Sequence, residues 1–383
     1  VKGEAMGPVL CVVGARPNFM KMAPILQALA AHTPAIPSLL IHTGQHYDQD
    51  MSDRLFEALG LPRPDVNLEV GSASHAVQTA EVMKRFEPLV DQYQPSCVLV
   101  VGDVNSTLAC TLVAVKKNVP VAHVEAGLRS GDRKMPEEIN RVLTDQVADR
   151  LYTTERSAEA NLLAEGIAAQ RVCFAGNVMI DSLVSHRPQA PTAVQTLQAH
   201  GVDASVLNHP KGYGVVTLHR PSNVDDAASL THLLDVLLEV AAQLPLVFAM
   251  HPRTRSNLER FGLMSRINAQ QMVCLPPQGY LEMLGLMAGA TVVLTDSGGL
   301  QEETTALGVP CLTLRENTER PITIAQGTNT LVGSSRDLIL QNLADILAGR
   351  GKRGRIPEYW DGHAAQRIAA DLWQWLQAKP AAA

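Results

Sequence analysis

Short, almost wholly apolar runs alternate along this chain with longer stretches in which apolar side chains recur every three or four positions. Residues 8–13, 38–42, 97–101, 119–124 and 150–153 are such runs. Their near-continuous hydrophobicity fits parallel strands covered by helices on both faces. The stretches between them, as at 21–31 and 76–92, carry the helical period. Alternation of this kind predicts a doubly wound α/β domain.

Around residues 183–212 the rhythm breaks, in a stretch with three prolines and little strand character. It restarts with apolar runs at 214–218, 246–251, 272–275, 291–295 and 310–314, separated by helical stretches such as 228–243, 281–289 and 300–307. The pattern therefore predicts an α/β protein of two Rossmann-like, doubly wound parallel-sheet domains, at 6–185 and 186–363. The remaining segment, 364–383, reads as a helix carrying Trp373 and Trp375, expected to pack back on the first domain.

Composition agrees with this picture. A chain of 383 residues is long for one core, and 46% apolar against 18% charged residues gives ample material for two. The net charge of −6 argues against a nucleic-acid or anionic-membrane partner held by bulk charge. The longest apolar candidate, 230–250, is interrupted by His232, Asp235, Glu239, Gln243 and Pro245, so it reads as a helix followed by a strand. The first six residues lack the basic-then-apolar signature of a secretory signal, and Met6 reads as the natural start. Six scattered cysteines without paired spacing read as buried thiols, and the expected location is the cytoplasm.

Open parallel sheets bind ligands at the carboxyl ends of their strands, so the residues just after each run are the informative ones. After the first run, Gly14-Ala15-Arg16-Pro17-Asn18 leads into a helix containing Lys21. Such a turn offers amide donors to an anion, and Arg16 and Lys21 add positive charge. The bland alternative is a capped turn with two solvated cations. No dinucleotide fingerprint or P-loop is found, which counts against a nicotinamide dehydrogenase and a P-loop NTPase.

The run at 97–101 ends in Gly102-Asp103, and the next ends in His123-Val124-Glu125-Ala126-Gly127-Leu128-Arg129. Asp103 and Glu125 are thus expected at the ends of neighbouring strands, where partial burial makes a carboxylate a usable acid or base. Pro136-Glu137-Glu138 opens a helix, with Glu138 an ordinary first-turn acid and Glu137–Arg141 a surface ion pair when read in isolation. His219 and His251 leave apolar runs into proline-containing loops, a position open to catalytic and structural histidines alike. The sharpest local feature is Asp296-Ser297-Gly298-Gly299, a strand end passing directly into a helix, which suits a phosphate. Glu303, one turn in, suits sugar hydroxyls, and the run at 310–314 delivers Arg315, Thr318, Glu319 and Arg320 to the same edge.

In order and spacing, these segments together with Gly44-Gln45-His46 and Asn140-Arg141 resemble the non-hydrolysing UDP-N-acetylglucosamine 2-epimerase family, from about residue 9 to about residue 370. The resemblance implies a glycosyltransferase-B-like architecture of two lobes around a cleft, and a homodimer. It implies reversible inversion at C2, giving UDP-N-acetylmannosamine for cell-surface polysaccharide biosynthesis, through elimination of UDP to 2-acetamidoglucal and re-addition. That route requires no cofactor and no metal. Carried over by position, Lys21, Asp103, Glu125, Glu137, Arg141 and His219 are the catalytic set. Arg16, Ser297, Gly298, Gly299, Glu303 and Arg315 are the UDP-sugar set, with Glu303 assigned to the ribose. Some members are activated by their own substrate through a Gln-His segment and an arginine after the catalytic histidine. Gln45-His46 matches the first element, whereas His219-Arg220-Pro221-Ser222 lacks the second arginine.

Three alternatives stay open on sequence. A hydrolysing 2-epimerase would share the elimination step and release free N-acetylmannosamine. A UDP-sugar glycosyltransferase would share the nucleotide site without needing several amino-terminal carboxylates, and a non-catalytic UDP-sugar sensor would lose the acid–base set.

Overall fold

A computed structural model describes residues 6–44 and 60–378 of the chain. Contacts gather these into two units, one within Val1–Ser185 and Glu358–Ala383, the other within His186–Pro357. The first unit is built on β1 (Val9–Val13), β2 (Ser38–His42), β3 (Val66–Asn67), β4 (Cys97–Val101), β5 (Val121–Ala126), β6 (Arg150–Thr153) and β7 (Val172–Phe174). These form one parallel sheet in the order β3-β2-β1-β4-β5-β6-β7. Its helices are α1 (Arg16–Ala31), α2 (His75–Tyr93), α3 (Asn105–Lys116), α4 (Pro136–Val147), α5 (Arg156–Ala164) and α6 (Val178–His186). β1 and β4 are buried along their whole length, which is why they read as unbroken apolar runs rather than as an alternation.

The second unit opens with α7 (Ala193–Ala199) and repeats the plan. Its strands are β8 (Gly214–Thr217), β9 (Leu246–Ala249), β10 (Met272–Leu275), β11 (Val292–Thr295), β12 (Cys311–Thr313) and β13 (Asn329–Leu331). The sheet is again parallel, in the order β10-β9-β8-β11-β12-β13. Helices α8 (Pro221–Val224), α9 (Ala227–Ala241), α10 (Pro252–Arg260), α11 (Tyr280–Ala288), α12 (Gly298–Leu307), α13 (Pro321–Ala325) and α14 (Arg336–Leu347) connect and cover it. The doubly wound α/β fold predicted from the apolar rhythm is therefore present twice. Each sheet reverses strand order once, between β1 and β4 and between β8 and β11. Such switch points are where α/β sheets open a crevice for ligand.

Two local expectations need correction. The short strands β3, β7 and β13 were not anticipated, and they lie at sheet edges. β5 does not stop at Val124 but continues to Ala126, its register against β6 shifting between those two residues. Glu125 is the inserted residue, and its backbone adopts the left-handed region at φ 70°.

The last helix, α15 (Ala364–Ala378), buries Ala365, Ile368, Ala369 and Leu372 within the first unit and packs on α1. The Asp181 carboxylate on α6 accepts from its first amides, Ala364 at 3.1 Å and Ala365 at 2.7 Å. Asp371 is held by Arg150 and by the Tyr152 hydroxyl at 2.9 Å. α4 is amphipathic in the reverse sense, burying Glu138, Asn140, Arg141, Thr144 and Asp145 while Ile139, Leu143 and Val147 are 43%, 46% and 36% exposed. Among the described residues no helix is long and apolar enough to cross a membrane.

Candidate active site

The turn after β1 and the two strand ends after β4 and β5 meet at the first switch point. α1 carries Lys21 inward, where its ammonium lies 2.7 Å from both carboxylate oxygens of Glu125, the two side chains 8% and 2% exposed. Lys21 is therefore not a solvated cation. Gly102 forms the floor of this pair: a Cβ there would stand 3.3 Å from the Lys21 ammonium, and its φ of 67° itself favours glycine. Asn18 ties the neighbouring turn together, its amide oxygen accepting from Gly14 and Ala15 and its amide donating to the Val101 carbonyl. The two turn amides that sequence left for an anion are thus already satisfied. Gln45, His46 and the side chain of Arg16 lie outside the described residues.

Asp103, next to Gly102, is reached from α4. Arg141 donates to Asp103 Oδ2 at 2.5 Å and also to Glu138. The expected pairing of Arg141 with Glu137 is not formed: Arg141 turns to Glu138, three residues away, and Glu137 stays half-buried beside it. Glu138 is more than a first-turn acid, since it accepts from Ser130 N, Ser130 Oγ and Gly131 N, each at 3.0 Å. Burial would raise its pKa, but these bonds and Arg141 outweigh it and hold the carboxyl below its ordinary value. Asn140 donates to the Asp103 carbonyl at 2.9 Å, so two consecutive residues of α4 grip the Asp103 loop.

Behind these groups lies a buried pair that sequence reasoning missed. His123 and Asp145 are both fully buried, with Nδ1 2.7 Å from Asp145 Oδ1 and Nε2 2.7 Å from the Gly102 carbonyl. The signal was available: a histidine inside an apolar strand and an aspartate on a buried helix face each require a partner.

In the second unit His219 follows β8 and Asp296 follows β11. The wholly buried Asp296 lies 2.9 Å from His219 Nδ1 and accepts from the His219 and Arg220 amides and from Asn223 Nδ2. Burial opposes its ionisation, but His219 and these donors pull its pKa below the ordinary value. An ionised carboxylate at Nδ1 fixes the ring and leaves Nε2 as the atom that can exchange a proton. The His251 ring lies 5.9 Å from that of His219, and its pKa is lowered by burial and then by that neighbour.

Ser297 precedes α12 without capping it through its side chain. Neither Gly298 nor Gly299 has a positive φ; at Gly298 a Cβ would lie 2.5 Å from Glu319 Oε1, so a larger residue would have to displace that carboxylate. Glu319 in turn is bound by Arg315 at 2.8 Å. Burial would raise its pKa, but Arg320 and Arg315 bring it to about 2. Among the described residues nothing accepts from Arg315 Nη1 or Arg220 Nε, both buried donors. Arg220 was not singled out as a ligand-binding residue from sequence. Glu303 is buried beside Tyr280, whose pKa is raised by burial and then by that carboxylate, and Glu302 pairs with Arg320 at 3.0 Å. No group of three or more His, Cys, Asp or Glu side chains is placed to hold a metal ion among the described residues.

The sequence model of the family described as UDP-N-acetylglucosamine 2-epimerase matches residues 27–372. This chain belongs to that epimerase family. It is 38% identical to the UDP-N-acetylglucosamine 2-epimerase of Methanocaldococcus jannaschii over 94% of this chain and 97% of the relative. It is 39% identical to the UDP-2,3-diacetamido-2,3-dideoxy-D-glucuronate 2-epimerase of Pseudomonas aeruginosa over 95% and 99%. The crystal structure of the M. jannaschii UDP-GlcNAc 2-epimerase in complex with UDP-GlcNAc and UDP superposes with TM-score 0.82 at 37% identity, covering 96% of this chain and 99% of that one. The epimerase family is a family of isomerases, and its two parallel-sheet α/β domains are glycosyltransferase-B-like.

Proposed function

We propose that this epimerase interconverts UDP-N-acetylglucosamine and UDP-N-acetylmannosamine by elimination and re-addition of UDP. In the first half, the C2–H and C1–O bonds break, a base takes the C2 proton, and UDP leaves with the C1–O electron pair. In the second, an acid protonates C2 of the 2-acetamidoglucal on the other face and UDP re-adds at C1. The observation that carries this reading is the set of two carboxylate–cation contacts, the buried Glu125 with Lys21 and the part-buried Asp103 with Arg141, at one sheet switch point. A carboxylate can serve as the base, and Glu137 and His219 supply further groups able to carry the proton back. The buried donors of Arg315 and Arg220, with the uncapped start of α12 at Ser297, Gly298 and Gly299, suit the leaving diphosphate, and Glu303 the ribose. Proton NMR of the protein with UDP-N-acetylglucosamine in heavy water tests this: deuterium should enter C2 as the second sugar accumulates. Retention of the C2 hydrogen would exclude elimination, and accumulation of free N-acetylmannosamine would favour the hydrolysing alternative.

A second reading concerns the sugar. The relative acting on a UDP-2,3-diacetamido-glucuronate is as similar to this chain as the N-acetylglucosamine enzyme is. The C2 chemistry is the same for both, so kcat/KM for the two UDP-sugars in parallel decides the substrate. A homodimer belongs to this proposal, with the exposed Ile139, Leu143 and Val147 face of α4 meeting its copy.

A further inference from the structure

The two candidate carboxylates sit on different elements, Glu125 at the bulged end of β5 and Asp103 in the loop after β4, and neither sets its own geometry. Glu125 is the inserted residue of β5, in a left-handed backbone conformation that costs a non-glycine residue about 1–3 kcal/mol unless its surroundings enforce it. One buried carboxylate reaches both sides of that residue. Asp145 Oδ1 lies 2.7 Å from His123 Nδ1, two residues before Glu125, and Asp145 Oδ2 accepts from the Gly127 amide at 3.0 Å, two residues after it. The far side of the His123 ring extends the reach, since Nε2 lies 2.7 Å from the Gly102 carbonyl beside Asp103. Asp145 itself is on α4, whose Arg141 and Asn140 hold the Asp103 side chain and carbonyl. Arg129 adds a cation at 2.7 Å from Asp145 Oδ2 and is anchored outside by Glu165.

We infer that Asp145, acting through a doubly protonated His123, is a positioning residue that locks Glu125 and Asp103 into one fixed acid–base arrangement. The ring's protonation follows from its partners, because a backbone carbonyl and a carboxylate can only accept, so both ring nitrogens must donate. Burial would raise the Asp145 pKa, but His123 and Arg129 lower it, which keeps the carboxylate ionised and accepting. The consequence for the reaction rests on the epimerase reading above; the protonation of the ring does not.

The test uses the full-length protein with 15N-labelled histidine, the His123 signals assigned among the 12 histidines by comparison with His123→Gln. Both ring nitrogens of His123 should carry hydrogen in the unsubstituted protein at neutral pH. Asp145→Asn should return the ring to a single proton and lower kcat by about 10²-fold, the scale of an ångström-sized misplacement of reacting groups. KM for the UDP-sugar should stay within about twofold, because the nucleotide contacts are untouched. An unprotonated His123 nitrogen in the unsubstituted protein overturns the inference, and so does a folded Asp145→Asn variant with normal kcat. If that variant does not fold, Arg129→Met decides, since it removes one partner of the same carboxylate while leaving His123 in place. A kcat reduced by about tenfold with KM retained supports the inference, and an unchanged kcat overturns it. A protein that turns over no UDP-sugar would remove the epimerase reading while leaving the ring spectrum to decide the geometry.

Discussion

Substituting Glu125 by Gln separates two consequences of the Lys21–Glu125 pair. Both side chains are under a tenth exposed and their charged atoms are 2.7 Å apart. Removing the carboxylate alone strands a buried ammonium, which costs about 3–5 kcal/mol. Removing both charges, in Lys21→Met with Glu125→Gln, no longer strands the ammonium and should recover at least about 2 kcal/mol of that loss. Turnover should not recover, because the double variant still lacks the proton-moving group. Urea unfolding followed by tryptophan fluorescence reads the relevant unit directly: Trp360, Trp373 and Trp375 are the chain's three tryptophans, and all lie in the returning segment of the first unit. Deuterium entry at C2 of the UDP-sugar, measured on the same preparations, gives the catalytic arm. A loss below about 1 kcal/mol in Glu125→Gln would mean the ammonium is not left stranded. Turnover restored in the double variant would remove Glu125 from the acid–base set.

Asp103→Asn should keep the fold, since Arg141 retains Glu138, while turnover falls roughly 10²–10⁴-fold and UDP binding by calorimetry survives; near-normal turnover with unchanged melting would make Asp103 a turn residue. Glu303→Ala should chiefly weaken UDP binding, and an unchanged calorimetric affinity would misplace the ribose site. Glu319→Gln should cost about 3 kcal/mol at pH 7, because a carboxyl lowered from 4.5 to about 2 gains roughly 1.4 kcal/mol per pKa unit. The folded value lies below the unfolded one, so this stability is complete above about pH 4.5 and is lost as pH falls toward about 2. Unfolding of the variant and parent at pH 7 and near pH 3 should show the gap narrowing by about half, and a gap independent of pH would refute it.

The long central strands were legible because burial on both faces removes polar residues from them, as in Cys97–Val101. The edge strands β3, β7 and β13 were not, because two or three mostly half-buried residues leave no pattern to read. The bulge at Glu125 also leaves no trace in composition: one inserted residue moves the strand end by two positions without changing residue types. At the candidate site, residue types just after the strands pointed to Lys21, Asp103 and Glu125, and the family resemblance added Arg141, but pairing depends on side-chain reach across elements. That is why Glu138 was read as an ordinary first-turn acid and Arg141 was paired with the wrong neighbour. α4 offered the missed clue, since Glu138, Arg141 and Asp145 recur at helical spacing opposite Ile139, Leu143 and Val147. Taking the apolar stripe as the inner face, as amphipathic helices normally invite, turns that helix inside out.

The return of residues 358–378 to the first unit has a bearing on how the protein is made. A ribosome delivers the amino-terminal sheet early, yet α15 and its anchors Asp371 and Trp360 emerge only after the whole second unit. The second unit, continuous from His186 to Pro357, has every strand of its sheet available sooner. The order of completion is therefore inverted relative to the usual amino-terminal-first progression. For most of translation the nascent first unit exposes the face of α1 that α15 will later cover, transiently exposed surface of the kind chaperones hold. A stop just before α15 would leave the second unit whole and the first one unfinished.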